Sequence, residues 1–259
     1  MPRLELAGDS HLDRIHAERR ARWADSRGQG RRDLTRAVLP LLTGEPAVPD
    51  DAETHLAQLR WFLRHCEGDG AALTVNHTLS RALLTEASHR FNWLVLGKQA
   101  PPENQLPEAI RLRAITDQLD GTRRRGRRLL LTTRGRDLTR ADTPTLWTAV
   151  AGTLIPAEPA RAAAAEIMVM LLLTDQPPAY RSPIVADILT GEGWRNHADG
   201  QPLTTDDTGW LTGELFGRLD FLHLTERHTL THRSPLTATG RAAAISALRH
   251  RAHAPRNHP

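Results

Sequence analysis

Guanidinium groups carry the strongest chemical signal in this chain. Between Glu108 and Arg140, ten arginines (Arg111, Arg113, Arg123, Arg124, Arg125, Arg127, Arg128, Arg134, Arg136 and Arg140) face only Glu108, Asp117, Asp120 and Asp137, a local excess of six positive charges. The whole chain carries +4, so the rest is slightly acidic and the positive charge is concentrated here. A planar guanidinium matches the geometry of a phosphate and can grip it through paired hydrogen bonds. Gly121 and Gly126 bracket the densest part, and Leu129-Leu130-Leu131 reads as the returning strand of a small hairpin. A hairpin tip bearing Arg123, Arg124, Arg125, Arg127 and Arg128 can lie along a duplex backbone or enter a narrow minor groove. Thr132-Thr133 then caps a helix whose first N–H groups near Thr133, together with Arg134 and Arg136, add donors for a phosphate. The expected partner is double-stranded DNA. A solvated arginine-rich turn is the bland alternative, because Lys98 is the single lysine and almost all the base is arginine.

The helix ahead of this run is a poorer reader of bases. With Leu112, Ile115 and Leu119 inward, it turns Ile110, Arg113 and Asp117 outward and leaves Arg111 round the side. Arg113 and Asp117, four residues apart, have the spacing of an ion pair. No Asn or Gln is matched with Arg in the manner of a base-reading surface, although Gln118 is near. Backbone or shape contact is therefore expected, not sequence-specific reading.

Other chemistry has less support. Of 13 histidines, His223, His228 and His232 fall in one predicted hairpin with Asp220 and Glu226 nearby, but the spacing matches no zinc pattern. Gly-x-x-x-x-Gly-Lys-Ser/Thr, Gly-x-Gly-x-x-Gly, Gly-x-Ser-x-Gly and His-Glu-x-x-His are all missing, so no enzyme, metal or cofactor is expected. Cys66 lies on an apolar helix stripe and reads as a buried thiol. One cysteine suits a reducing cytoplasm, and Met1-Pro2-Arg3-Leu4-Glu5 lacks the apolar core of a signal peptide. The apolar run Ile167–Leu173 is too short to span a bilayer. The six tryptophans (Trp23, Trp61, Trp93, Trp147, Trp194 and Trp210) are scattered and read as packing anchors.

The elements that must position the arginines follow from composition and period. At 259 residues, 39% hydrophobic and 25% charged, with mean hydropathy −0.45, the chain suits about two globular units and excludes a membrane or fully disordered protein. The predicted fold is mainly α with small β-hairpins: two winged-helix-like units plus N-terminal helices. The divisions fall at residues 1–48, 49–155, 156–252 and a basic tail, 253–259, and His250, His253 and His258 are read as belonging to a basic, proline-containing tail. Helices are predicted over His11–Asp25 and Arg31–Leu42. Asp50-Asp51-Ala52-Glu53 looks like an acidic capping box, behind which Ala52, Leu56, Leu59, Leu63 and Cys66 recur at helical spacing. A short strand over Ala71–Val75, a helix ending near Arg90, and a helix from Pro107 precede the hairpin. Helix, strand, helix, helix, hairpin, helix is the element order of a winged helix.

The second half repeats the ending. Leu131-Thr132-Thr133-Arg134-Gly135-Arg136 and Leu236-Thr237-Ala238-Thr239-Gly240-Arg241 share Leu-Thr-x-x-Gly-Arg, and each follows an apolar stretch and opens a helix. Upstream come predicted helices over Ala160–Leu173, Ile184–Leu189 and Thr208–Leu219, then a hairpin over Phe221–Leu236. Duplication of one supersecondary unit is the simplest account. The third of these helices carries Asp206, Asp207 and Glu214 against Arg218, a face that phosphate repels. Its Gly209, Gly213 and Gly217 form a side-chain-free stripe, suited to close approach of another helix or to a short, frayed element. An adaptor module that dimerises through this unit is the rival to DNA binding, and a homodimer suits either reading.

Leu73-Thr74, Leu79-Ser80-Arg81-Ala82-Leu83 and Leu129 through Arg136 together resemble the helical region of an actinobacterial plasmid family, the plasmid open-reading-frame-three-like or insertion-element passenger proteins. The resemblance spans roughly residues 70–150 and, more loosely, 160–250. This chain departs from it in having Leu119-Asp120-Gly121-Thr122 where the family usually has Leu-Gly-Leu, and in lacking the family's β-rich part. The resemblance implies a winged-helix-like fold and a plasmid or mobile-element setting, and it bears on the fold more than on the function.

Overall fold

Leucine and alanine stripes at three- and four-residue spacing set most of this fold. The computed structural model describes residues 8–25, 28–43, 47–93, 100–226 and 235–253, with side chains from residue 15 onward except at 178. Helices α1 (Gly8–Asp25) and α2 (Gln29–Val38) lead through a tight helical turn (Leu39–Leu42) to α3 (Ala52–His65). Helix α3 buries Ala52, Leu56, Leu59 and Leu63, the stripe its spacing predicts. The expected capping box does not form. Asp51 sits at the N-cap, but its carboxylate accepts from Thr239 Oγ1 at 2.9 Å and meets His55 Nε2 at 3.2 Å, while Glu53 pairs with Arg60 at 2.7 Å. Neighbouring donors draw both acids away from the helix end.

Next come β1 (Ala71–Ala72), α4 (Arg81–Phe91), α5 (Pro107–Gln118), β2 (Thr122–Arg125) and β3 (Arg128–Leu131). The strands form an antiparallel sheet in the order β1-β3-β2. The strand expected to reach Val75 stops at Ala72, with an isolated bridge between Leu73 and Leu79 beyond it. Gly70 adopts φ +74°, and a Cβ there would lie 2.5 Å from Leu129 O, so glycine lets β3 pass alongside.

After the hairpin, α6 (Thr133–Arg140), α7 (Thr143–Gly152), α8 (Pro159–Leu173), α9 (Pro178–Gly191), α10 (Thr205–Phe221) and α11 (Ala238–His253) complete the chain. Helix α7 was not expected as a separate element. Its signal is Asp142, which accepts the Thr145 N–H at 3.0 Å, with Pro144 in the first turn. Helix α8 is buried on every face from Ala162 to Leu173. Helix α9 outruns the predicted Ile184–Leu189. Helix α10 is neither short nor frayed: Thr204 and Asp207 form a reciprocal capping box, and Leu211, Leu215 and Leu219 are buried along its length. Phe221, expected to start the second hairpin, ends α10, and Thr225 bridges to Leu236. Residues 227–234, with His228 and His232, lie outside the described residues. His250 and His253, expected in the tail, instead belong to α11, whose buried Ala244, Ala247, Leu248 and Ala252 continue the helical stripe. His258 lies outside the described residues.

The Leu-Thr-x-x-Gly-Arg repeat builds the same corner twice. Gly121 N–H bonds to Thr116 O at 2.9 Å and Leu224 N–H to Leu219 O at 2.8 Å, each five residues back. Asp120 and His223, the residues before, both take positive φ, at +50° and +52°. Thr132 N–H reaches Gly121 O at 3.1 Å, and Thr237 N–H reaches Leu224 O at 3.0 Å. Each threonine then caps the next helix by accepting the Gly135 or Gly240 N–H at 2.9 Å. A Cβ at Gly135 would fall 1.9 Å from Gly121 O, and one at Gly240 2.0 Å from Leu224 O. The glycines are required because a carbonyl occupies the place of the side chain.

One buried cluster runs from Trp23 to Ala252. Helix α5 packs on α10, and α7 on α11, so the stretches expected as two units share this core.

Candidate nucleic-acid interface

The β2–β3 hairpin projects the arginines as its sequence predicts. Thr122, Leu129 and Leu131 anchor its base in the core, while Arg123, Arg124, Arg125, Arg127 and Arg128 are all exposed. A two-residue turn at Gly126-Arg127 closes it, with Gly126 at φ +59°, where a hairpin turn needs positive φ. Arg125 pairs in register with Arg128, so their side chains leave the same face, which Arg123 shares two residues along. Among the described residues, none of the five makes an ion pair. Arg128 Nη1 donates to Gly70 O at 3.2 Å, which steadies the strand without neutralising the charge. The departure Leu119-Asp120-Gly121-Thr122 leaves the hairpin regular, because the turn at Asp120 is made before Thr122 pairs with Leu131.

Arg111 and Arg113 do not join this face. Arg113 is half-buried and lies 3.9 Å from Glu103, not beside Asp117 as its spacing predicts, because Glu103 also accepts the Leu79 N–H and so stands over α5. Its Nε and Nη1 are buried without hydrogen-bond partners. Arg111 turns toward α10, where a Cβ at Gly217 would sit 2.9 Å from its Nε. Next to it, Arg218 Nη1 donates to Gln118 Oε1 at 2.5 Å and to Thr153 O, and Arg218 Nη2 pairs with Glu214. Helix α10 thus covers the side of α5 that bears Arg111 and Gln118. Ile110 and Asp117 remain exposed on α5.

Thr133 and Arg136 are exposed at the start of α6, where Arg136 Nη2 donates to Thr133 Oγ1 at 3.1 Å. Arg134, also exposed, lies close enough to α11 to act on His250, whose pKa is lowered first by burial and then by the Arg134 and Arg251 charges. One turn further along α11, His253 stacks on His16 with ring centroids 4.2 Å apart. Arg20 Nη1 is 3.3 Å from His253 Nε2, and Arg19 Nη1 donates to His253 O at 3.2 Å. Burial, then His16, Arg20, Arg249 and Arg19, push the His253 pKa down to about 4. Burial is the larger cause, and the neighbouring His16, Arg20, Arg249 and Arg19 act in the same direction. The positive groups therefore continue from Arg134, across the last turns of α11, to Arg19 and Arg20 on α1.

The sequence singles out Arg14, Arg19, Arg20, Arg22, Arg31, Arg32 and Arg36 as candidates to join the wing in one face, but it places His250 and His253 in a tail. The helical period through Ala252 was available to place His250 and His253, but nothing in the chain announces that α1 packs on α11. Not every N-terminal arginine contributes. Arg31 is buried, pairing with Glu192 at 2.5 Å and Glu166 at 3.4 Å, and Arg22 and Arg36 pair on the surface with Glu18 and Asp33.

Among the described residues, no group of three or more His, Cys, Asp or Glu side chains could hold a metal ion. Cys66 is buried and its pKa is pushed up to about 12, first by burial, so its thiol stays protonated. Trp23, Trp61, Trp93 and Trp147 are packed in the core as expected, whereas Trp210 is 66% exposed and is no packing anchor. Among the described residues, no helix is long and apolar enough to cross a membrane. No family model, curated protein or solved structure matches this chain.

Proposed function

We propose that this protein binds double-stranded DNA through the phosphate backbone, with the β2–β3 hairpin as a basic wing. The element order from α3 to β3 and the sheet order β1-β3-β2 support a winged-helix reading of residues 49–155. The duplicated threonine–glycine corner supports a second, related unit ending in α11. One observation carries the proposal: five exposed guanidiniums crowd a two-stranded tip and, among the described residues, pair with no carboxylate. Such crowding opposes folding unless an anion relieves it.

Arg134, Arg136 and the His250–His253 turn of α11 extend the same face toward α1. Recognition falls on the backbone because α10 covers the Arg111 side of α5 and Glu103 holds Arg113. The role is non-enzymatic and regulatory, or serves a plasmid or mobile element, in keeping with the family that residues 70–150 resemble. Dimerisation through the glycine stripe of α10 has less support, since Gly217 is already occupied by Arg111.

Fluorescence anisotropy of a labelled duplex at low salt tests the proposal. Saturable binding that survives scrambling of the DNA sequence is expected. A duplex that stays free at low salt contradicts it.

A further inference from the structure

A cavity of about 220 Å³ opens between the α9–α10 loop and the first half of α10. It is lined by Leu189, Leu203 and Leu211 together with the indoles of Trp194 and Trp210. Trp210 is 66% exposed and presents its ring at the cavity. Its ring is nonetheless held in place. The Arg161 guanidinium carbon lies 4.4 Å from the ring centroid, and Arg161 is itself fixed by Glu214 at 3.1 Å.

The loop is fixed as well. Asn196 Nδ2 donates to Asp207 at 2.8 Å, Asn196 N–H to Gln201 O at 3.0 Å, and Leu203 N–H to Thr190 Oγ1 at 3.0 Å. The cavity is therefore formed before any ligand arrives, and little ordering opposes binding.

The polar groups at the cavity select the ligand's charge. The Asp207 carboxylate keeps its negative charge, but its oxygens are filled, accepting from the Thr204 N–H, the Thr204 hydroxyl and Asn196, so it offers a ligand no free acceptor. Asn196 Oδ1 accepts the Ala198 N–H at 2.8 Å. Arg195 Nη1 donates to Thr190 O and Trp194 O, both at 2.7 Å, which fixes its guanidinium at the rim and leaves its other nitrogens available. Arg195 is the cationic donor on offer, with the imidazole of His197 beside it on the lining, next to a mostly apolar and aromatic wall. We propose that this cavity binds a small aromatic carboxylate, with the ring against Trp194 and Trp210 and the carboxylate on Arg195. This binding is independent of the DNA reading and stands or falls separately.

Isothermal titration of the full chain with naphthoate, naphthamide and naphthylmethylamine tests it. Naphthoate is expected to bind one-to-one with a Kd on the order of 0.1 mM, ordinary for a ligand of this size. It should bind more tightly than the neutral amide, and the cationic amine more weakly than both. Arg195→Gln, at an exposed position, should weaken naphthoate about fivefold and leave naphthamide unchanged. Ala160→Trp, which fills the cavity, should abolish both. The proposal is overturned by absence of saturable binding, by tighter binding of the amine, or by naphthoate binding that Arg195→Gln leaves intact. The Arg195 variant keeps the test decisive if Ala160→Trp fails to fold.

Discussion

Arg125 and Arg128 face each other across the tip of the β2–β3 hairpin, and among the described residues neither meets a carboxylate. Like charges directly opposed on a strand pair cost about 0.2–1 kcal/mol. Arg125→Thr should therefore raise stability by about 0.5 kcal/mol while weakening DNA binding. Urea denaturation and anisotropy on the same preparation check both signs. A variant that loses stability and keeps its DNA affinity contradicts the account.

The two histidines of α11 give the binding a pH dependence. His253 titrates near 4 and His250 below its ordinary value, so both are mainly neutral at pH 7. A phosphate brought against them, among Arg19, Arg20, Arg134, Arg249 and Arg251, favours their charged forms and raises both pKa values. DNA affinity should therefore rise as pH falls from about 7.5 to 5.5, with proton uptake on binding. His253→Gln should flatten that profile.

Without DNA the same histidines act on stability in the opposite sense. Their folded pKa values lie below the unfolded value near 6.5, so the unfolded chain binds more protons between about pH 4 and 6.5. Stability is fully present above that window and declines as pH falls through it. The His253 loss on acidification is on the order of 1 kcal/mol once solvent screening is allowed for. Thermal melts between pH 7.5 and 4.5 of the native chain and of His253→Gln should keep a constant offset near neutral pH, and the native chain should lose stability relative to the variant as pH falls from about 6.5 toward 4.

Gly135 and Gly240 make the repeated corner testable. A methyl group at either would meet a carbonyl oxygen at about half the normal contact distance, at 1.9 and 2.0 Å. Gly135→Ala and Gly240→Ala should each cost about 3 kcal/mol. Chemical denaturation measures both, and a cost at one corner alone would contradict their equivalence.

The buried ion network carries a separate prediction. Glu166 is fully buried, meeting Arg31 at 3.4 Å and Arg251 at 3.3 Å. Glu166→Gln removes the charge facing Arg31 and Arg251, leaves Glu192 as the remaining carboxylate on Arg31, and should cost about 3 kcal/mol. A melting temperature unchanged by the substitution would contradict that.

Local pattern explains what the sequence made legible. The stripe of α3, the buried length of α8, the hairpin at Arg123–Leu131 and the threonine caps of α6 and α11 all follow from spacing and turn chemistry within a few residues. What was missed depends on contacts between distant segments. Asp51 leaves its helix end for Thr239, Arg113 leaves Asp117 for Glu103, and Arg111 is turned aside by α10. Arg31, one of several N-terminal arginines by sequence, becomes a core ion pair only because α2 packs on α8 and α9. The exposed hairpin arginines were legible because nothing distant covers them. The His16–His253 stack was not, since its partners lie at opposite ends of the chain.

The salt dependence of duplex binding tests the central claim most directly. If about four arginines of the hairpin and α6 start meet phosphates, the log–log slope of affinity against salt should be near −3.6. Replacing Arg125 and Arg128 together with glutamine should shallow it by about 1.8, to near −1.8. A slope that the double substitution leaves unchanged would contradict the assignment of the hairpin as the DNA contact.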